Sequence, residues 1–135
     1  MSVWYIDTSA ALKLIVDEPE SDALVETLQT QAPTLVSCLL LETELRRAVN
    51  CRPQLSQAVV TDLLTRVNLY EIAPAWFTAA GLLPGEQLRT LDALHVASAI
   101  HLRADRLLTY DARMAQAALS VGMPVADPRP GKLGR

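Results

Sequence analysis

The sequence predicts an α/β domain, a parallel sheet sandwiched by helices. Short apolar runs with strand character alternate with segments of helical apolar spacing, and pairs of helices lie between strand candidates. The length of 135 residues suits one domain, and a hydrophobic content of 50% is enough to fill its core. In such a sheet every strand ends at the same edge, so residues that follow distant strands meet there.

The elements follow in order. Val3-Trp4-Tyr5-Ile6 is an apolar run that ends in Asp7-Thr8-Ser9, which reads as a buried strand closed by a polar turn. Residues 10–16 read as a short helix, which leaves Asp7 at the carboxyl end of a strand just before a helix. Pro19 is placed in the first turn of a second helix, striped by Leu24, Val25 and Leu28 and closed by Ala32-Pro33. Residues 34–37 form a strand, and a helix runs from about Cys38 to Asn50 on Leu41, Leu45, Ala48 and Val49. After the turn Cys51-Arg52-Pro53, Leu55, Val59, Leu63 and Val67 recur every fourth residue in a helix over about 54–66. Residues 68–72 form a strand, and Pro74 starts a helix that fails near Gly81 and Pro84-Gly85. A polar loop precedes an Ala- and Leu-rich helix over 91–103. A strand then follows Asp105, a last helix spans 111–121 with Gly122 closing it, and Met123-Pro124-Val125 makes an edge strand. Residues 1–126 are expected as the single domain and 127–135 as a flexible tail.

Composition excludes several classes. No apolar run reaches the roughly 18 residues of a membrane span, and no secretory leader is expected at the N-terminus. Cys38 and Cys51 lack zinc or redox-pair spacing and read as reduced thiols of a cytoplasmic protein. The net charge of −3 argues against a nucleic-acid partner unless acids bind metal. Setting four of the 15 acids aside leaves 11 against 12 Lys and Arg.

Those four acids are Asp7, Glu44, Asp92 and Asp111. Singly, each has an ordinary reading. Asp7 can cap a helix, Glu44 can pair with Arg47 one turn on, and Asp92 and Asp111 suit the first turns of their helices. Together they point to a shared site, because Asp7, Asp92 and Asp111 occupy equivalent strand-end or helix-start positions. Asp92 also sits among Leu91, Ala93 and Leu94, an unusual place for a solvated acid.

Four stretches carry a resemblance: Asp7-Thr8-Ser9-Ala10, Glu44-Leu45-Arg46-Arg47-Ala48, Leu91-Asp92-Ala93-Leu94-His95-Val96-Ala97 and Leu108-Thr109-Tyr110-Asp111. In this order and at these gaps they resemble the motifs of the PIN domain, and most closely the bacterial VapC-type toxin ribonucleases. Asp17-Glu18-Pro19-Glu20-Ser21 resembles the first loop of that family, and the likeness covers about residues 1–126. It implies a three-layer α/β/α sandwich, Mg²⁺ or Mn²⁺ at the four acids, RNA cleavage, and a VapB-type antitoxin encoded alongside.

The residue chemistry agrees. Mg²⁺ and Mn²⁺ prefer oxygen ligands, and no His- or Cys-rich set competes. A cation there would lower the pKa of a bound water for in-line attack on phosphorus, leaving 5′-phosphate and 3′-hydroxyl ends. Ser9 joins the catalytic set as a group that orients a ligand or water, and Thr109 is expected to do the same. Arg46, Arg47 and Arg89 are candidates to hold RNA phosphates, against the ordinary reading of surface ion pairs. His95 and His101 lie six apart on one helix, without metal-ligand spacing, and read as structural.

A haloacid-dehalogenase-type phosphatase would need a second acid where Ser9 stands, and a receiver domain would need paired acids at the end of the first strand. A non-catalytic PIN-like scaffold that binds RNA or protein is the alternative; loss of an acid would mark it, and none is lost. The apolar residues on the helices between Ser21 and Val67 predict a homodimer.

Overall fold

The computed structural model describes residues 1–131. In chain order the elements are β1 (Val3–Ile6), α1 (Thr8–Leu12), α2 (Ser21–Gln31), β2 (Thr34–Cys38), α3 (Leu40–Asn50) and α4 (Gln57–Leu64). Then come β3 (Asn68–Tyr70), α5 (Pro74–Gly81), α6 (Thr90–His101), β4 (Arg106–Leu108), α7 (Ala112–Ser120) and β5 (Val125–Ala126). The strands form one sheet in the order β3-β2-β1-β4-β5, and every pairing is parallel.

Alternation along β1 divides the core into two layers. Trp4 and Ile6 point to one face and pack with Leu24 of α2, Leu41, Leu45 and Val49 of α3, and Val60 and Leu63 of α4. Tyr5 points to the other face, among Val96 and Ala99 of α6 and Met114 and Ala118 of α7. Helix α5 packs outside α6 through Ala80 against Ala93, Leu94 and Ala97. The expected α/β/α sandwich is the one observed.

The strand order fixes where a site can form. The chain steps outward from β1 to β2 and β3, then returns to place β4 on the other side of β1. The sheet therefore has its topological switch between β1 and β4, and the crevice beyond the carboxyl ends of these strands is the usual ligand position. Asp7 follows β1 and Thr109 follows β4 at that crevice.

Several boundaries differ from expectation. Helix α1 stops at Leu12, and residues 13–15 continue as tight turns closed by Lys13 N–H to Ala10 O, Leu14 N–H to Ala11 O and Ile15 N–H to Leu12 O. Pro19 lies outside α2, whose first residue is Ser21. Helix α4 begins at Gln57, three residues later than the apolar spacing suggested, because Leu55 joins the core from a turn held by its N–H to Arg52 O. Gly122 follows α7 at φ +85°, a conformation suited to glycine after a helix.

The tail does not leave the domain at Asp127. The Tyr110 hydroxyl donates to Pro128 O at 2.7 Å, Arg129 stands 5.6 Å from the centre of the Tyr110 ring, and Arg129 lies 3.5 Å from Glu20. An aromatic ring with a hydroxyl and a flanking acid gives residues 127–129 a seat that composition alone does not reveal. The rest of the expected tail, residues 132–135, lies outside the described residues.

Candidate active site

Asp7 is buried at the switch point, only 1% exposed. Its carboxylate is fully supported. Oδ1 accepts the Ala10 N–H at 2.9 Å and the Ser9 hydroxyl at 2.8 Å, and Oδ2 accepts the Thr109 hydroxyl at 2.5 Å. The first of these bonds caps α1, which is the ordinary reading of Asp7. Burial pushes the Asp7 carboxyl above its ordinary value, and the bonds from Thr109, Ala10 and Ser9 offset this only in part.

Ser9 and Thr109 tie the ends of β1 and β4 together. The Ser9 hydroxyl accepts the Tyr110 N–H at 2.9 Å, and the Thr109 hydroxyl accepts the Asp111 N–H at 3.1 Å. Both hydroxyls thus link the carboxylate of Asp7 to the backbone that carries Asp111. Asp111 itself caps α7, its Oδ1 accepting from Arg113 N–H at 2.9 Å and Met114 N–H at 3.1 Å.

Glu44 reaches this edge from α3, and Asp92 from the first turn of α6, on opposite faces of the sheet. Glu44, Asp92 and Asp111 line one cavity of about 400 Å³, with Arg89 and Arg113 also on its wall. Asp7 is joined to them through its neighbour Thr8, whose hydroxyl donates to Glu44 Oε1 at 2.8 Å. Burial raises the Asp92 carboxyl, and the nearby Asp111 and Glu44 charges raise it further. Glu44 goes the other way: burial opposes its charge, but the bonds from His95 and Thr8 outweigh that and hold it below the ordinary carboxylate range.

His95 is where the site departs most from expectation. It is a buried residue, as a structural histidine should be, yet its Nε2 lies 2.6 Å from Glu44 Oε1. Burial disfavours its imidazolium, but Cys38 and Glu44 outweigh burial and push it up to about 10. A sequence signal for its membership existed: His95 is three residues after Asp92, on the same side of α6. His101 is structural, with Nδ1 bonded to Ala97 O at 2.9 Å and its ring stacked on Trp76.

The arginines divide. Arg89 is at the cavity, but Arg46 is committed elsewhere, to Glu42 at 3.0 Å, Gln57 at 3.1 Å and Thr61 at 3.2 Å. This network staples α3 to α4 and takes up the guanidinium expected for phosphate. Arg47 is exposed on α3 and does not line the cavity. Arg113, which the sequence did not single out, takes a place there because it follows Asp111 into the first turn of α7.

An all-oxygen set of mutually repelling carboxylates has the chemistry of a Mg²⁺ or Mn²⁺ site. Among the described residues no three Asp, Glu, His or Cys side chains stand close enough together to hold an ion directly.

Comparison with known proteins agrees with the geometry. The PIN domain family model matches residues 4–119. The chain is 43% identical over 131 residues to Ribonuclease VapC46 of Mycobacterium tuberculosis, covering 95% of this chain and 99% of that one. Among solved structures, VapC20 of M. tuberculosis, described as a sarcin–ricin-loop-cleaving toxin, superposes with a TM-score of 0.72 at 15% identity, over 94% of this chain and 99% of that one. The VapBC2 complex of Rickettsia felis bound to a promoter DNA fragment gives 0.71 at 16% identity, over 92% and 97%. The four acids, their edge of the sheet and these matches place the chain in the PIN domain family.

Proposed function

We propose that the protein is a metal-dependent endoribonuclease, the toxin of a VapBC-type pair, that acts in the cytoplasm. The observation that carries this is the shared cavity, in which Glu44, Asp92 and Asp111 face Arg89 and Arg113. Carboxylates alone would repel RNA; carboxylates with flanking arginines suit a cation and a phosphate together. The likeness to Ribonuclease VapC46 supports the same reading. The scaffold alternative is disfavoured, because a scaffold has no need to gather three carboxylates around one cavity.

In this mechanism Asp7, Glu44, Asp92 and Asp111 would hold the ion between them, no more than two of them directly. When bound, it supplies charge neutralisation at phosphorus and a water acidified toward hydroxide. Thr109 and Ser9 fix the Asp7 carboxylate through their hydroxyls. Arg89 and Arg113 would grip the phosphates on either side of the scissile bond and orient it for in-line attack. The purified protein should cut a pool of structured RNAs in Mg²⁺ or Mn²⁺, leaving 5′-phosphate ends. Equal cleavage in excess EDTA would exclude the metal.

The VapB-type antitoxin would mask this site, offering an arginine to Asp7, Glu44 and Asp92. A complex in which RNA is still cut would count against that. The apolar surface expected for dimerisation on helices 21–67 forms a groove of about 720 Å³, lined by Val25 and Leu28 of α2 and Val59 and Leu63 of α4. A concave groove suits an inserted segment of another chain better than a self-matching two-fold contact. Phe77 and Leu82, 53% and 80% exposed, give a homodimer apolar surface elsewhere. No helix among the described residues is long and apolar enough to cross a membrane.

A further inference from the structure

The two carboxylate oxygens of Glu44 are not equivalent. Oε1 accepts the Thr8 hydroxyl at 2.8 Å and faces His95 Nε2 at 2.6 Å, whereas no described residue donates to Oε2. His95 is itself locked. It is 1% exposed, and its Nδ1 lies 2.7 Å from the Tyr5 hydroxyl. That hydroxyl accepts the Cys38 N–H at 3.3 Å and stands 3.1 Å from Cys38 Sγ. Tyr5 belongs to β1 and Cys38 ends β2, so the ring is referenced to two strands of the sheet and not only to its own helix.

The proton on Nε2 follows from its neighbour. An ionised carboxylate only accepts, so a ring nitrogen 2.6 Å from it must donate. If Nδ1 is bare, the Tyr5 hydroxyl donates to it. If Nδ1 carries a proton, it donates to Tyr5 oxygen, and the hydroxyl turns to Cys38 Sγ. Every group is satisfied in both arrangements, and Nε2–H points at Glu44 in both.

We propose that His95, backed by Tyr5, is a positioning residue that holds Glu44 by Oε1 and leaves Oε2 alone to engage the divalent cation. The proposal rests on the reading of Glu44 as a metal ligand. A histidine that merely fills the core would not matter to Oε2. Here the bond crosses the edge of the sheet, from α6 on one face to α3 on the other, and fixes the only acid that α3 contributes to the cavity.

The test is Mn²⁺ binding to the full-length, RNA-free protein by isothermal titration calorimetry, with thermal unfolding alongside. His95→Gln keeps an N–H donor within reach of Oε1 and should stay within about threefold of the wild-type affinity. His95→Leu removes the donor and should weaken Mn²⁺ binding roughly 10- to 100-fold, the range seen when a group behind a metal ligand is lost. Tyr5→Phe changes only one hydroxyl, retains the ring in the core, and should weaken binding by a smaller factor; it carries the test if His95→Leu does not fold. Lower unfolding temperatures with unchanged Mn²⁺ affinity in Tyr5→Phe and any folded His95→Leu would overturn the positioning role. Wild-type protein that binds no Mn²⁺, or Glu44→Gln that binds it as tightly as wild type, would instead overturn the metal reading on which the proposal rests.

Discussion

Thr109→Val isolates one hydroxyl at the switch point. Valine keeps the shape of the buried side chain but can neither donate to Asp7 Oδ2, now 2.5 Å away, nor accept the Asp111 N–H at 3.1 Å. A hydrogen bond to a charged group contributes roughly 1.5–3 kcal/mol, and an unpaired buried N–H costs roughly 1–3 kcal/mol. The Asp111 end is only partly buried, so the sum should fall in the lower half of that range, about 3 kcal/mol. For a domain of this size that is a drop in unfolding temperature of about 10 °C. There is also a pH signature. The Thr109 bond favours ionised Asp7, so its loss must raise a carboxyl that burial already holds high. The acid limb of the pH–rate profile for RNA cleavage should therefore move to higher pH. Thr109→Ser, which restores the hydroxyl, should return that limb to its wild-type position. An unfolding temperature within about 2 °C of wild type and an unmoved acid limb in Thr109→Val would refute the reasoning.

Three further outcomes follow from the same site. Asp7→Asn should be more stable, relative to wild type, at pH 7 than at pH 3 without metal: the folded-state pKa is raised above 3.8, so the cost of ionising Asp7 is absent below that value and fully present above the raised one. Thermal unfolding at the two pH values checks this, and a relative gain that is larger at pH 3 would contradict it. Arg113→Glu should weaken RNA binding and lower the slope of log affinity against log salt by about one, without changing unfolding temperature, as fits a phosphate contact by an exposed residue; an unchanged slope would remove Arg113 from the interface. Light scattering at micromolar concentration should give the mass of a dimer that Leu82→Glu disrupts, and a monomer in the wild type would dispose of the exposed α5 surface as an interface.

Much of this architecture was legible in the chain, for physical reasons. The β1 run is buried on both faces, so it reads as a continuous apolar strand, and the acid that ends it stands out. The helix-start positions of Asp92 and Asp111 are local facts, and the sheet turns local equivalence into spatial proximity. What was not legible depends on contacts between distant elements. The bond of His95 to Glu44 joins residues 51 apart in sequence and on opposite helical layers. Arg46 looked available because nothing in α3 alone shows that Gln57 and Thr61 of α4 will claim it. The seat of residues 127–129 exists only once Tyr110 and Glu20 are brought together. Asp7 shows a different limit: the sequence marks it as a cap, but not that the same carboxylate also accepts the Thr109 hydroxyl from the end of β4.

The most direct test of the central claim is the rate of RNA cleavage against Mn²⁺ concentration for wild type, Asp7→Asn, Asp92→Asn and Asp111→Asn, with thermal unfolding as the control. Asp7→Asn and Asp92→Asn should be inactive at every concentration while still folded, because the remaining oxygens are too few to hold the ion. Asp111 spends Oδ1 capping α7, so Asp111→Asn should lose less and recover part of its rate at high Mn²⁺. Full activity in Asp92→Asn, or equal and metal-independent losses in all three variants, would contradict the account.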